Sequence, residues 1–198
     1  MSRRAGGRGA GAVDRILVLN AGSSTLKASL LRIGSERALG SVTVGWSGDP
    51  VADGDDALGR VLGALGDPPL GRLVGVGHRV VHGGPELIHP VVIDDATLAA
   101  IEAVVPLAPL HDPPAIAVVR AVRRRDPALL QVACFDTAFH ATLPELARRY
   151  PVPEDWTRDG IRRFGFHGLS VDWATGRAAE LLGRRRRDLR IVVAHLGA

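Results

Sequence analysis

The sequence has 198 residues, of which 46% are hydrophobic and 23% are charged, and this balance predicts a globular chain with one full core and room for part of a second. A single cysteine, Cys134, excludes an internal disulfide framework. The formal net charge of +4 comes from local arginine clusters, and aromatic residues make up only 4% of the chain, without the alternation of rings and bases typical of a nucleic-acid stacking surface. We therefore expect no specific nucleic-acid partner.

Residues 1–12 are rich in arginine, glycine and alanine and contain no apolar segment. This composition predicts a disordered tail rather than a signal peptide. Apolar stretches elsewhere in the sequence are too short to span a bilayer. We therefore expect no membrane partner and a cytoplasmic location.

The first predicted elements are three strands and a helix. An apolar run that breaks into small polar residues and then resumes predicts a strand, a tight turn and a second strand over residues 16–31. Alternation over residues 38–46 predicts a third antiparallel strand. Asp55 or Asp56 is placed to cap a helix after a loop. The apolar face of that helix comprises Leu58, Val61, Leu62 and Leu65.

The middle of the chain alternates between predicted strands and helices. Residues 73–81 form a β-rich run before a glycine turn, and residues 129–135 form a short apolar strand. Between these strands, Asp94 or Asp95 caps one predicted helix, and a proline-rich loop over residues 106–114 leads into another. The apolar faces of the two helices comprise Leu98, Ile101, Val104 and Val105, and then Ile116, Val119 and Val122.

The last predicted elements are a short helix over residues 145–150, a helix capped by Ser170 and a strand over residues 191–196. The inward residues of the capped helix would be Ala174, Ala178, Leu181 and Leu182. The order of elements predicts one α/β domain over residues 13–150. Residues 151–198 would then be a crossover and the incomplete start of a second domain, because one strand and one helix cannot bury a core.

The turn between the first two strands carries the first candidate site. Asn20 is followed by a glycine and three hydroxyl residues, among them Ser23 and Thr25, and then by Lys27, the only lysine of the chain. Small residues let backbone N–H groups close on an anion, and an ammonium group suits a phosphate oxygen. An ordinary hairpin with a polar turn and an exposed lysine explains these residues equally well. The Walker spacing is absent, which excludes a strand-to-helix phosphate loop.

Four further polar residues stand out from their local pattern. Arg79 lies inside an apolar strand, where it needs an anion, a solvent cavity or a paired surface acid. Asp136 follows a buried strand, at the carboxyl end, where active-site residues of α/β proteins usually lie. A role as the cap of the next helix explains its spacing more simply. His111 lies in a stiff proline loop and fits a structural role as well as an active one. His167 stands between glycines before a helix, which suits an anion site or a plain crossover loop.

Six ordered blocks are spread over most of the chain after residue 13. They are Asn-Ala-Gly-Ser-Ser-Thr-Leu-Lys from Asn20, Gly-His-Arg-Val-Val-His-Gly-Gly from Gly77, Pro-Leu-His-Asp-Pro-Pro from Pro109, Phe-Asp-Thr-Ala-Phe-His from Phe135, Phe-Gly-Phe-His-Gly from Phe164 and Ala-His-Leu-Gly from Ala194. Together they resemble the acetate kinase family, within the group of acetate and sugar kinases, actin and Hsc70-like ATPases. The implied fold is α/β, an actin-like ATPase (ribonuclease H-like) domain with a mixed sheet, plus the truncated start of a second such domain.

The resemblance implies Mg²⁺-dependent phosphoryl transfer between ATP and acetate, giving acetyl phosphate and ADP. Propionate is an alternative substrate, and a non-catalytic half that binds a complementary subunit is an alternative function. The resemblance also implies a homodimer. The family pattern continues beyond this chain, so the chain looks truncated, and Asp112 stands where the family usually has asparagine.

Carried over position by position, the resemblance assigns roles to individual residues. The implied catalytic residues are Arg79, Asp136 and His167, with His111 as a supporting donor. Arg79 would bind the carboxylate of the substrate acid, and the pocket for its methyl group would be lined by Val81, Leu110 and Phe166. Asn20 would lie at the metal ion. The nucleotide would be bound by Ser23, Thr25, Lys27, His195, Leu196 and Gly197.

Overall fold

The computed structural model describes residues 14–35, 37–66 and 70–196. In these ranges the strands are β1 (Arg15–Ala21), β2 (Thr25–Arg32), β3 (Ala38–Gly45), β4 (Gly75–Val80), β5 (Val91–Val92) and β6 (Gln131–Phe135). The α-helices are α1 (Gly54–Ala64), α2 (Asp95–Ala103), α3 (Asp112–Arg125), α4 (Glu145–Arg148), α5 (Glu154–Arg158) and α6 (Gly168–Leu181). The tail expected over residues 1–12 lies outside the described residues.

The strands form a mixed sheet in the order β3-β2-β1-β4-β6-β5. β2 pairs antiparallel with both β1 and β3, so the hairpin and the third strand expected from the sequence are confirmed. Every second residue of β1 and β2 is buried, and Leu17 lies opposite Leu30 in the register. This period of two is what places one face of each strand against the core.

The chain divides into two compact units. The first comprises Met1–His78 and Pro113–Val132, and the second comprises Arg79–Asp112 and Ala133–Ala198. The domain boundary near residue 150 stays a prediction. The largest fully buried side chains of the first unit are Leu17, Leu19, Leu26, Leu58, Val61, Val76, Val118, Val119 and Val122, and those of the second are Val80, Ile101 and Phe135.

Several helix features match the sequence. The Asp94 carboxylate accepts a hydrogen bond from Thr97 N–H at 2.7 Å, which confirms Asp94 as the cap of α2. The predicted apolar faces of α1 and α3 are buried, except that Leu65 is only half-buried. Val104 and Val105, which follow α2, are half-buried as well. Among the described helices, none combines the length and apolar composition needed to cross a membrane.

The start of α1 differs from the expectation. The helix begins directly after Asp53, so Asp55 and Asp56 lie in its first turn instead of capping it. The Asp53 carboxylate accepts a hydrogen bond from Ser47 N–H at 2.7 Å and pairs with Arg60 at 2.8 Å. These contacts fix the chain before the helix, and local spacing alone does not reveal them.

Two later helices also begin earlier than expected. α3 begins at Asp112, so the loop predicted over residues 106–114 is shorter, and the two prolines that follow Asp112 occupy the first helical turn, where no N–H is needed. α6 begins directly after His167, so Ser170 lies inside the helix and the prediction that it caps the helix is wrong. His167 has a left-handed backbone conformation, with φ of 55°, and this turn sets the start of α6.

The C-terminal part of the described chain is more exposed than expected. The strand predicted over residues 191–196 has no regular structure, because no neighbouring strand pairs with it. Leu181 and Leu182, predicted to face inward, are exposed, and the buried side chains of α6 are those of Thr175 and Ala179. The sequence analysis also missed β5, whose two residues are too few to show a period.

Candidate functional site

The turn between β1 and β2 belongs to the first unit. Asn20 lies opposite Lys27 in the register, on the strand face that does not point to the core. Gly22 N–H donates to the carbonyl of Thr25 at 2.8 Å and closes the turn. Asn20 and Thr25 are half-buried, and the side chains of Ser23 and Lys27 are exposed. The turn therefore presents an amide, a hydroxyl and an ammonium group to solvent.

Trp46 holds this turn, and the sequence analysis missed its role. The indole Nε1–H donates to the carbonyl of Gly22 at 2.9 Å, and the Trp46 backbone N–H donates to the carbonyl of Ser24 at 3.3 Å. Both bonds satisfy carbonyls that a tight turn would otherwise leave to water. A usable signal was the tryptophan that ends the strand predicted over residues 38–46.

The second unit contains the ion pair of Arg79 and Asp136. Arg79 Nε and Nη2 donate to Asp136 Oδ2 at 3.0 and 2.5 Å. The Asp136 side chain is 1% exposed, while that of Arg79 is 24% exposed. Asp136 N–H also donates to the carbonyl of Val80 at 3.1 Å, which ties the end of β6 to the end of β4. Asp136 is thus an ion-pair partner of the candidate substrate arginine, whose side chain is partly exposed.

The loop that carries His167 is joined to the same strand end. Gly168 N–H donates to the carbonyl of Asp136 at 3.1 Å. A Cβ at Gly168 would lie 2.0 Å from that carbonyl oxygen, so this contact requires glycine. The exposed His167 ring lies 4.5 Å from the ring of His195, measured between centroids. The fold therefore brings together three of the predicted regions: Arg79, Asp136 and the turn before α6.

The predicted apolar wall is only partly assembled in the described residues. Val81 is buried at the end of β4, whereas Leu110 and Phe166 are 73% and 50% exposed. The ring of His82 makes edge contacts with Phe166 at 5.8 Å and with Phe164 at 4.5 Å between centroids. Phe166 is therefore held on one side by an imidazole that the sequence analysis did not single out.

Two buried polar residues near the end of β4, His82 and Asp112, have pKa values that differ from their ordinary ones. Burial raises the pKa of Asp112 to about 6, against the opposing effect of the backbone N–H groups that it accepts. Burial also lowers the pKa of His82, and the charge of Arg162 acts in the same direction. Gly84 N–H donates to His82 Nδ1 at 2.8 Å, which fits a neutral imidazole.

The remaining predicted site residues are exposed or lie outside the description. His111 is exposed in the turn before α3, and His195 and Leu196 are exposed after α6. Gly197 lies outside the described residues. Among the residues that are described, no three histidine, cysteine or acidic side chains cluster as metal ligands. Mg²⁺ normally takes one or two protein oxygens together with substrate phosphates and waters, and the half-buried Asn20 amide fits a single ligand of that kind.

Comparison with known proteins gives this arrangement its context. The model of the Acetokinase family matches residues 50–198. The chain belongs to this family. It is 44% identical to the acetate kinase of Deinococcus radiodurans over 91% of its own length, and 40% identical to that of Clostridium botulinum (strain Kyoto / Type A2) over 92%. The matches cover 50% and 52% of those two proteins, so the chain spans about half the length of the curated relatives it matches.

Solved structures support the same assignment to the acetokinase family. The crystal structures of Porphyromonas gingivalis acetate kinase and of a propionate kinase from Francisella tularensis are similar to this chain with TM-scores of 0.73 and 0.74, each at 32% identity. Each similarity covers 87% of this chain and 50% of the other. The predicted α/β class with a mixed sheet is confirmed, and the architecture is consistent with the actin-like ATPase fold.

Proposed function

We propose that this chain carries the acid-binding half of a kinase that transfers a phosphoryl group between ATP and acetate, or another short-chain carboxylate, with Mg²⁺. The observation that carries the proposal is the pair of Arg79 and Asp136. A planar guanidinium, held by a buried carboxylate on a side chain that is partly exposed, is suited to bind the carboxylate of a small acid. Membership of the acetokinase family supports the reaction class.

Each group of the proposed site has a role that its geometry supports. Asp136 orients the Arg79 guanidinium, and Arg79 binds the acid. His167, at the glycine turn fixed on Asp136, donates to the phosphoryl oxygens, where negative charge accumulates in the transition state. Such positioned donors supply most of the catalysis in phosphoryl transfer, because little covalent chemistry is required of the protein.

The nucleotide side of the proposal rests on the first unit. Lys27 and the hydroxyls of Ser23 and Thr25 would contact the phosphates, and Asn20 would hold the metal ion, which neutralises phosphate charge when bound. His195, Leu196 and Gly197 would begin the adenosine pocket. We further propose a cytoplasmic location and a homodimer, the latter testable by analytical ultracentrifugation.

The test is an assay for acetyl phosphate formed from ATP, Mg²⁺ and acetate. This chain is assayed alone and joined to the region that its relatives carry beyond the matched half. The joined protein should be active, and Arg79→Ala should lower its kcat/KM about 10²- to 10³-fold. Arg72→Ala, which removes an exposed arginine from a 3₁₀ turn, is the matched control and should leave activity unchanged. An inactive joined protein that retains the ion pair of Arg79 and Asp136 would contradict the proposal.

A second candidate function is a non-catalytic half that binds a complementary subunit. The observation that favours it is the exposed apolar surface of α6 and the residues after it. Trp173 is 65% exposed on α6, and Val192 and Leu196 are almost fully exposed. Copurification of a partner that is displaced by Trp173→Asp, combined with no phosphoryl transfer by the joined protein, would favour this function over the first.

A further inference from the structure

The chain that leaves β4 has an unusual hydrogen-bonding pattern. Four consecutive backbone N–H groups, from Val81 to Gly84, each donate to a side chain instead of to a backbone carbonyl. Val81 and His82 N–H both donate to Asp112 Oδ1, at 3.2 and 3.1 Å. Gly83 N–H donates to Thr137 Oγ1 at 3.1 Å, and Gly84 N–H donates to His82 Nδ1. The conformation of this buried segment therefore depends on a few specific side chains.

Asp112 supplies two of these four bonds from a distant part of the sequence. It is the first residue of α3 and is completely buried, and 31 positions separate it from Val81. Its Oδ1 accepts both N–H groups, and its Oδ2 is buried without a hydrogen-bond partner. A buried oxygen without a partner lowers the stability of the fold. An apolar side chain would therefore be favoured at this position if Asp112 only filled space.

Of the two residues that Asp112 fixes, one is a wall of the proposed acid pocket and the other contacts a second wall. Val81 is its buried apolar wall, two positions after Arg79. His82 contacts the ring of Phe166, the second proposed wall. A change at Asp112 would therefore move both walls while leaving the ion pair of Arg79 and Asp136 in place.

We propose that Asp112 is a positioning residue for the acid pocket: it fixes the Val81–His82 backbone and, through the His82 ring, the placement of Phe166. This inference rests on the proposed function for the identity of the pocket, and on the structure alone for the role of Asp112 in fixing the segment. The raised pKa of Asp112 supports it, because a carboxyl that is mostly neutral below about pH 6 is compatible with an unpartnered Oδ2. The charged groups that act on Asp112 are Asp136 and Arg79.

The structural test compares Asp112→Ala with Asp112→Asn in this chain by amide hydrogen exchange. The alanine variant loses both acceptor bonds, so the Val81 and His82 amides should exchange at least about tenfold faster. The asparagine variant keeps an acceptor oxygen and should retain the protection of the parent chain. Asp126→Ala is the matched control, because Asp126 also accepts a backbone N–H, from Ala128 at 3.1 Å just after α3, and it should leave both amides unchanged.

The functional test uses the joined protein described above and measures KM for acetate and propionate separately from kcat. Asp112→Ala should raise KM for acetate several-fold and change the preference between the two acids, with a smaller effect on kcat, and Asp112→Asn should restore both. Unchanged protection of Val81 and His82 in the alanine variant would overturn the inference. So would an asparagine variant as impaired as the alanine one. If the joined parent protein shows no phosphoryl transfer, the proposed function fails, and the exchange experiment still decides the role of Asp112.

If Asp112→Ala does not fold, the role of Asp112 is tested by comparing the amide NMR shifts of the parent chain and Asp112→Asn as the pH changes. The Val81 and His82 amide shifts of the parent chain should titrate together near pH 6, because their acceptor gains charge there. In Asp112→Asn this common titration should be absent. Amide shifts that titrate alike in both proteins would overturn the inference.

Discussion

The two units bury different kinds of polar groups. In the described part of the first unit, the buried polar side chains are His78 and Gln131, which bond to each other at 2.9 Å within an otherwise apolar core. In the second unit, the buried polar residues Asp112, Asp136 and Thr137 bond to backbone amides or to Arg79. The first unit therefore derives its stability mainly from apolar packing, and the second uses buried polar groups to place a site.

The two units also respond to pH in opposite directions. Burial lowers the pKa of His78 to about 4, and burial raises the pKa of Asp112 to about 6. His78 is therefore neutral in the folded chain where an unfolded chain would take up a proton. Asp112 keeps its proton in the folded chain where an unfolded chain would release it. In the interval between pH 4 and pH 6 the two contributions to the free energy of unfolding oppose each other.

The largest effect should come from breaking the ion pair of the second unit. Arg79→Ala leaves the carboxylate of Asp136 buried without its cation, and should lower the free energy of unfolding by about 3–5 kcal/mol. Asp136→Asn should cost less, because the Arg79 side chain is partly exposed and can be hydrated. Chemical denaturation of both variants at pH 7 measures the difference. Equal losses of stability in the two variants would contradict the prediction that an unpaired Asp136 costs more than an unpaired Arg79.

The next effect tests the polar pair of the first unit. The contribution of neutral His78 is fully present above pH 6.5 and is lost as the pH falls towards 4, by about 3 kcal/mol. His78→Gln has no proton to gain and should remove this part of the pH dependence. Denaturation curves from pH 4 to pH 7 measure it. A variant whose stability falls on acidification as steeply as that of the parent chain would contradict the assignment.

A somewhat smaller effect of opposite sign should come from the second unit. The contribution of protonated Asp112 is fully present below pH 3.8 and is lost as the pH rises to about 6, by about 2–3 kcal/mol. Above pH 6, Asp112→Asn should therefore be more stable than the parent chain. The same denaturation series measures this, and the double variant with His78→Gln should have a pH dependence close to that of the parent chain, because the two opposing contributions are removed together. A destabilised Asp112→Asn at pH 7 would contradict the prediction.

The smallest effect concerns the turn of the first unit. Trp46→Phe keeps most of the ring but removes the bond from the indole N–H to the Gly22 carbonyl, and should cost about 1 kcal/mol. NMR shifts of the turn amides should change, while those of residues 81–84 in the second unit should not. Changes of similar size in both places would contradict the prediction that the effect stays in the turn.

Local patterns predicted the regular elements well. The hairpin of β1 and β2, the cap at Asp94 and the strand that ends at Phe135 all follow from periodicity and from the chemistry of single residues. The roles of individual site residues stay predictions. Sequence patterns also missed contacts between residues that are not neighbours in the chain: Arg60 with Asp53 at the start of α1, and Trp46 with the turn.

The amino-acid sequence by itself determined the buried faces of α1 and α3, the α/β class and the blocks that indicate the family, because period and residue type are local properties of the chain. Only the tertiary structure decided how the buried polar groups pair. Arg79 and Asp136 are 57 positions apart, and Asp112 is 31 positions from Val81, so no local pattern connects them. It also decided that residues 191–196 form no strand, because a strand exists only where another strand offers hydrogen bonds.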